Sequence, residues 1–237
     1  MNEKPIYNRV LLKVSGEALA DSTGKGIDDA MTASVAQEVK DALALGVEVA
    51  IVVGGGNFWR GRTSENMNRA TADYMGMLAT VMNALALQEA FEAEGIPTRV
   101  LSAIAMTQVA ETYTRRKAVA HLDEGKVVIF AAGSGSPFFS TDTAAALRAC
   151  EIEADVILLA KKIDAVYSDD PEKNPDAERY DVLTFSDILE KELGVMDSTA
   201  ASLCRDNDVN IHVFALKEKG NVRKALLGEK IGTIITK

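Results

Sequence analysis

The chain has 237 residues, 47% of them hydrophobic and 26% charged, with five prolines and two cysteines; collagen-like, disordered and disulfide-stapled classes are excluded. A chain of this length buries about 70% of its unfolded surface and needs no metal or disulfide staple. The formal charge of −9 argues against a nucleic-acid partner, which calls for a basic face, but not against a small phosphate ligand held in one cationic cleft.

The N-terminus, MNEKPIYNRVLLKV, has no apolar h-region and no cleavage site, and the longest weakly polar stretch, Met75 to Leu87, is interrupted by Thr80 and Asn83. The expectation is a soluble, cytoplasmic protein with no membrane span. Cys150 and Cys204 belong to no CxxC pair and read as small core residues.

In chain order, a first strand is predicted over Arg9–Val14, apolar on consecutive positions as in strands covered on both faces. A helix over Met31–Leu45 follows, entered from Asp28 as N-cap and stopped by Gly46. A strand at Glu48–Val53 precedes a long helix over Ala72–Glu94 that ends at Gly95-Ile96-Pro97. Strands at Thr98–Leu101 and Val127–Ala131, a helix at Asp142–Ile152 and a strand at Val156–Leu159 continue the alternation. A helix at Ser198–Arg205, a strand at Ile211–Phe214, a helix at Val222–Leu227 and a strand at Thr233–Ile235 complete it. No repeat or linker divides the chain. The pattern predicts one α/β domain over residues 1–237, a three-layer α/β/α sandwich around a mostly parallel sheet. The long helix carries more apolar surface than the outside of a monomer needs. Tyr74, Leu78, Val81 and Leu85 form one stripe and Met75, Met77, Met82 and Leu87 spread beyond it, which fits either a central buried helix or one shared with a subunit interface.

Ligands of open parallel sheets bind beyond the C-terminal strand ends. Here those ends carry Lys13-Val14-Ser15-Gly16-Glu17, then Gly54-Gly55-Gly56-Asn57 with Arg60 and Arg62. They also carry Gly133-Ser134-Gly135-Ser136-Pro137 before Thr141 and Asp142, and Lys161-Lys162 before Tyr167-Ser168-Asp169-Asp170. Glycine lets backbone N–H groups approach an anion, and helix N-termini favour negative charge. Three glycine loops beside Lys13 and Arg60 therefore predict a cleft for several phosphates. Lys13 is a point charge suited to phosphoryl transfer. Asp142 either orients Mg²⁺ or the acceptor, or merely caps its helix.

The GxxxxGK[ST] phosphate loop and the GxGxxG dinucleotide fingerprint are both absent. No His, Cys and carboxylate set has ligand spacing, and His121 and His212 lie far from the loops in sequence, so no tightly held structural metal is expected. Mg²⁺ is expected to arrive with a nucleotide.

The strings KVSGEAL (Lys13–Leu19), GGGNFWRG (Gly54–Gly61), MNRATADYMGMLATVMN (Met67–Asn83), GSPFFSTD (Gly135–Asp142), EADVILLAK (Glu153–Lys161) and KELGVMD (Lys191–Asp197) resemble bacterial UMP kinases, of the amino acid kinase superfamily. The resemblance implies the amino acid kinase fold, with the N-terminal part mainly binding UMP and the C-terminal part mainly binding ATP. It implies transfer of the γ-phosphate of ATP to UMP with Mg²⁺, and Lys13, Arg60 and Asp142 as the catalytic set. Carried over by motif, the ATP site comprises Lys13, Val14, Ser15, Gly16, Gly56 and Arg60, with Lys161, Tyr167 and Asp170 at the adenosine end. The UMP site comprises Gly55, Asp73 and the loop Ser134, Gly135, Ser136, Pro137, Phe138, Phe139, Ser140 and Thr141. The resemblance further implies a hexamer built as a trimer of dimers through the long helix, activation by GTP and inhibition by UTP. The GTP-responsive segment matches Asp21, Ser22, Thr23, Gly24, Lys25 and Gly26. Lys161 departs from the Thr or Asn frequent in such proteins, and Ala165 from a usual glycine.

Overall fold

Strand β1 (Arg9–Val14) is apolar throughout its centre because its alternate residues feed two cores. Val10, Leu12 and Val14 pack to one side and Leu11 to the other. This is what a strand covered on both faces requires, and it places Lys13 on the Leu11 side. The computed structural model describes residues 4–59 and 67–237.

After β1 come a 3-10 turn (Gly16–Leu19), helix α1 (Asp29–Ala44), β2 (Glu48–Val53), α2 (Arg69–Ala93), β3 (Thr98–Ser102) and β4 (Glu111–Thr112). Next are α3 (Arg115–Asp123), β5 (Val127–Ala131), α4 (Thr141–Ile152), β6 (Val156–Lys161), β7 (Val166–Tyr167), β8 (Arg179–Tyr180) and β9 (Val182–Thr184). Helices α5 (Phe185–Glu190) and α6 (Ser198–Asp206), strand β10 (Asn210–Ala215), α7 (Asn221–Leu226) and β11 (Thr233–Thr236) end the chain. All the expected strands and helices are present. Helix α2 starts before the expected Ala72, because the Asn68 side chain accepts from the amides of Ala70 and Thr71 and caps it there. The elements missing from the sequence reading are short or polar: α3 buries only Ala118 and Leu122, β4, β7 and β8 are two residues each, β9 is three, α5 is six and the 3-10 turn is four.

One sheet runs β4-β3-β5-β2-β1-β6-β10-β11-β9, parallel except where β11 meets β10, while β7 and β8 form a separate antiparallel pair. Helices α1, α2 and α7 cover one face through residues such as Val39, Leu87 and Leu226. Helices α3, α4, α5 and α6 cover the other through Leu122, Ala149, Ile188 and Cys204. The fold is the expected α/β/α sandwich. Among the described residues no helix is long and apolar enough to cross a membrane.

β1 lies between β2 and β6, with Val14 level with both Val53 and Ala160. The loops that follow these strands therefore open side by side at the point where strand order reverses, the crevice such sheets use for ligands. Two of them touch: a Cβ on Gly16 would lie 2.5 Å from Asn57 Oδ1 and 2.7 Å from both Gly54 O and Gly56 N. Gly16→Ala is expected to cost about 1–3 kcal/mol, because the backbone at Gly54 and Gly56 must move as well as the Asn57 side chain. Thermal unfolding should show a midpoint several degrees lower; an unchanged midpoint contradicts this packing.

Candidate functional site

Lys13, on the α4 side of β1, meets Asp142 near the start of α4, with Nζ and Oδ1 2.8 Å apart and the two side chains only 11% and 20% exposed. Asp142 is not the cap of its helix. That role belongs to Ser140, whose hydroxyl accepts from the amides of Asp142 (3.0 Å) and Thr143 (3.1 Å). Of the two readings open to Asp142, simple capping is removed, and its partner is Lys13. Lys161 ends β6 on the same face, since Leu159 is the register partner of Lys13. Burial pushes the Lys161 pKa below the ordinary lysine value, Asp142 opposes that shift and Lys13 adds to it. Its ammonium donates to Val195 O. Two cations thus share one carboxylate at the strand ends, an arrangement that favours an incoming polyanion.

The glycines next to this centre also have a packing reason. Gly16, Gly54, Gly55 and Gly56 have no positive φ. Gly16 is required by its contact with the second loop, and a Cβ on Gly55 would lie 2.8 Å from Gly76 O and 2.9 Å from Ala79 Cβ of α2. Their absent side chains let backbone meet backbone. A buried amide pair secures the arrangement: Asn57 Nδ2 donates to Asn83 Oδ1 (2.9 Å), and Asn83 Nδ2 donates to Asn57 Oδ1 (2.8 Å) and Gly54 O (2.7 Å). The loop after β5 does use the left-handed region, at Ala132, Gly133, Gly135 and Phe138.

A cleft of about 480 Å³ lies between α2 and that loop. Of the residues expected at a monophosphate site, Gly55, Asp73, Ser134, Phe139, Ser140 and Thr141 line it. Gly135, Ser136, Pro137 and Phe138 belong to the same loop but not to the lining. Phe138 stands exposed, its N–H donating to Asp73 Oδ2 at 2.8 Å. Arg69 also holds Asp73, with Nε 2.9 Å and 2.8 Å from the two oxygens. Gly56, Trp59, Arg69, Gly76, Met77, Thr80 and Gly133 complete the lining, and Trp59 is fixed by donation from Nε1 to Ala72 O at 3.0 Å.

Across β1, a cleft of about 840 Å³ is lined by Ser15, Asp21, Ser22, Gly24, Lys161, Lys162 and Lys217 among others. A further one of about 550 Å³ brings Lys161, Tyr167 and Asp170 together with Val195. The segment Asp21–Gly26 therefore borders the Ser15 and Lys161 side. Thr23, Lys25 and Gly26 lie off that lining, in a turn closed by donation from Thr23 N to Asp21 Oδ1 (2.8 Å) and from Asn57 Nδ2 to Gly26 O (2.7 Å). Val14 follows Lys13 at the end of β1, level with Val53, and Gly56 lies in the loop after β2, against Gly16. Ala165 is buried with no positive φ, so its turn avoids the conformation that asks for glycine. Arg60 and Arg62 lie outside the described residues.

Sequence reasoning missed Asp197. Its carboxylate accepts from the hydroxyls of Ser140 and Thr143 (2.9 Å to Oδ1 for the latter) and from Ala200 N (3.0 Å), tying the start of α4 to the start of α6. An Asp directly before the STAASLC run was a legible N-cap signal. Thr80 and Arg148, buried polar residues within apolar helices, were missed as well. Among the described residues no three His, Cys, Asp or Glu side chains converge as a metal-holding group.

The profile of the amino acid kinase family matches residues 8–215. The chain is similar to the crystal structure of UMP kinase from Bacillus anthracis, 41% identical over 97% of this chain and 96% of that one, with a TM-score of 0.94. It is similar to UMP kinase from Ureaplasma parvum at 36% identity over 97% and 99% of the two chains (TM-score 0.91). Uridylate kinase from Archaeoglobus fulgidus is 27% identical over 95% and 99% (TM-score 0.72).

The lowered pKa of Lys161 gives a pH prediction. A lysine with a depressed pKa loses its charge on the acid side of the ordinary value of 10.5, so polyanion binding weakens as pH rises through that lower range. Titration of inorganic tripolyphosphate is expected to show this alkaline fall, and Lys161→Arg should move it to higher pH. An unmoved fall would assign it to another group.

Proposed function

This chain belongs to the amino acid kinase family, and from that premise we propose that it transfers the γ-phosphate of ATP to UMP, giving UDP and ADP, a step of pyrimidine nucleotide synthesis. One observation carries the reading: the cleft between α2 and the Gly133–Thr141 loop borders the same strand ends as the Lys13–Asp142 pair. Likeness to UMP kinases along nearly the whole chain supports it.

In this reading UMP occupies the cleft of Gly55, Asp73 and Ser134–Thr141, with Asp73 accepting from a ribose hydroxyl and the start of α4 receiving the phosphate. ATP lies across β1, its phosphates on Lys13, Val14, Ser15, Gly16, Gly56 and Arg60 and its adenosine toward Lys161, Tyr167 and Asp170. The acceptor portion is then mainly residues 55–141. The donor portion is mainly residues 161–217, joined by the loop after β1, within one domain.

The acceptor atom is a phosphate oxygen. A phosphate monoester has its second pKa near about 6 and is already anionic at neutral pH, so the chain needs no general base. Its task is positioning and charge neutralisation. Lys13, beside β2 on one side and β6 on the other, neutralises the group in transit, and Asp142 holds its ammonium in place. Asp142 is the carboxylate that would face Mg²⁺ arriving with ATP, which would supply further neutralisation of the phosphates.

The exposed apolar stripe Tyr74, Met75, Leu78 and Met82 on α2 supports the interface reading of this helix. We assign it to a second copy, within a hexamer built of dimers. GTP activation is assigned to the Asp21–Gly26 segment, of which Asp21, Ser22 and Gly24 line the cleft beside Ser15, and UTP is assigned as an inhibitor.

The test is ATP-dependent transfer over a panel of UMP, CMP, dUMP, carbamate and acetylglutamate, with and without GTP and UTP, on protein of measured sedimentation mass. UMP should be the best acceptor. Lys13→Ala should keep UMP binding and lose roughly two or more orders of magnitude in kcat. Turnover of a small acid with none of UMP overturns the acceptor, and near-normal turnover in Lys13→Ala removes Lys13 from the mechanism.

A further inference from the structure

Thr80 sits in the middle of α2, 3% exposed, in a run that is otherwise largely apolar. Its hydroxyl donates to Met77 O of the preceding turn (2.7 Å) and accepts from the amide of Ala132 (2.9 Å), the residue after β5. Ala132 has φ 62°, the left-handed region that alanine adopts only at a cost in free energy. At the far end of the same loop Phe138 has φ 73°, and its amide is held by Asp73. The loop is thus bracketed by two non-glycine residues in an unfavourable conformation, each gripped through its N–H by α2. Asp73 and Thr80 are two turns apart on one helix face. From the other side Arg148, buried and stacked 3.8 Å from the Tyr113 ring centre, reaches Gly133 O at 3.4 Å. Between the two grips lie Gly133 and Ser134, which line the acceptor cleft.

We propose that Thr80 is a positioning residue of the acceptor site, acting through the amide of Ala132 to hold the Gly133–Ser134 backbone where it meets the acceptor phosphate. The inference rests on the acceptor reading above and adds a residue to it. A strained turn persists only where its surroundings over-determine it, and the hydroxyl of Thr80 supplies that constraint. Asp73 is the companion grip, but it also takes the ribose; Thr80 lines the cleft too, but it is buried and its hydroxyl is engaged with Met77 O and Ala132 N, so its loss bears first on the loop.

The experiment compares Thr80→Val, Thr80→Ser and the double variant Thr80→Val with Ala132→Gly. Valine keeps the shape of threonine and removes the acceptor. Serine keeps the hydroxyl, and glycine at 132 takes the left-handed conformation without being held. The readouts are KM for UMP and for ATP, kcat, and hydrogen exchange of the 131–139 peptide without nucleotide. Thr80→Val is expected to raise KM for UMP roughly tenfold, with KM for ATP nearly unchanged and exchange in the loop faster. Thr80→Ser should stay near the unsubstituted chain, and Ala132→Gly should recover much of the loss. Thr80→Ala serves in place of valine if that variant does not fold.

Unchanged KM and exchange in Thr80→Val overturn the proposal. So does an equal defect in Thr80→Ser, which would mark a packing role, or no recovery from Ala132→Gly. Because exchange is read without nucleotide, failure of the unsubstituted chain to use UMP counts against the acceptor reading alone, and the clamp is still decided.

Discussion

The arrangement depends on a contact between two turns in which Gly16 has no side chain to interpose. Gly16 presses against Gly54 and Gly56 so closely that one methyl group would overlap three atoms. That contact joins the turns after two adjacent parallel strands, and Lys13 stands beside it, largely buried and paired with Asp142 of α4. Asn57 and Asn83 then lock the second turn to α2 by exchanging amide hydrogen bonds in a buried setting, where leaving either amide unpaired is costly. A flexible point charge becomes a fixed one, which phosphoryl transfer requires of a lysine.

Helix α2 faces both ways. Its inner side lays down the floor of the acceptor cleft and grips the loop of Ala132–Phe138 at two places, while its outer side presents Tyr74, Leu78 and Met82. A partner covering the outer side would bear on the same rigid element that shapes the inner one. The starts of α4 and α6 are joined likewise by Asp197, so the carboxylate facing Lys13 rides on a helix held at its first turn from two directions.

Much of this was legible in the sequence, for identifiable reasons. Strands β1, β2 and β5 lie where consecutive apolar residues placed them, because a strand buried on both faces has no other composition available. Asp28 and Gly46 bounded α1 through ordinary capping chemistry. Lys13, Asp142 and the three glycine loops were found as a set, and the structure brings Lys13 and Asp142 together. The close contact of Gly16 with Gly54 and Gly56 was not legible, since a contact between two turns leaves no trace in either. Nor was Thr80, because a threonine in an apolar helix reads as a tolerated interruption until its partner 52 residues away is known. Helix α3 escaped because its sequence is polar on most of its surface.

An acidic chain handling two polyanions has to concentrate its cations, and Lys13 and Lys161 do so on one face of the sheet beside the carboxylate of Asp142. The account therefore stands on donor and acceptor sharing one centre from opposite sides of β1. The most direct measurement is calorimetric titration with a bisubstrate analogue that joins adenosine and uridine 5′ ends through five phosphates. The account predicts one analogue per chain, bound far more tightly than ATP or UMP and displacing both. An analogue that competes with only one of the two nucleotides, or binds no better than either, would contradict it.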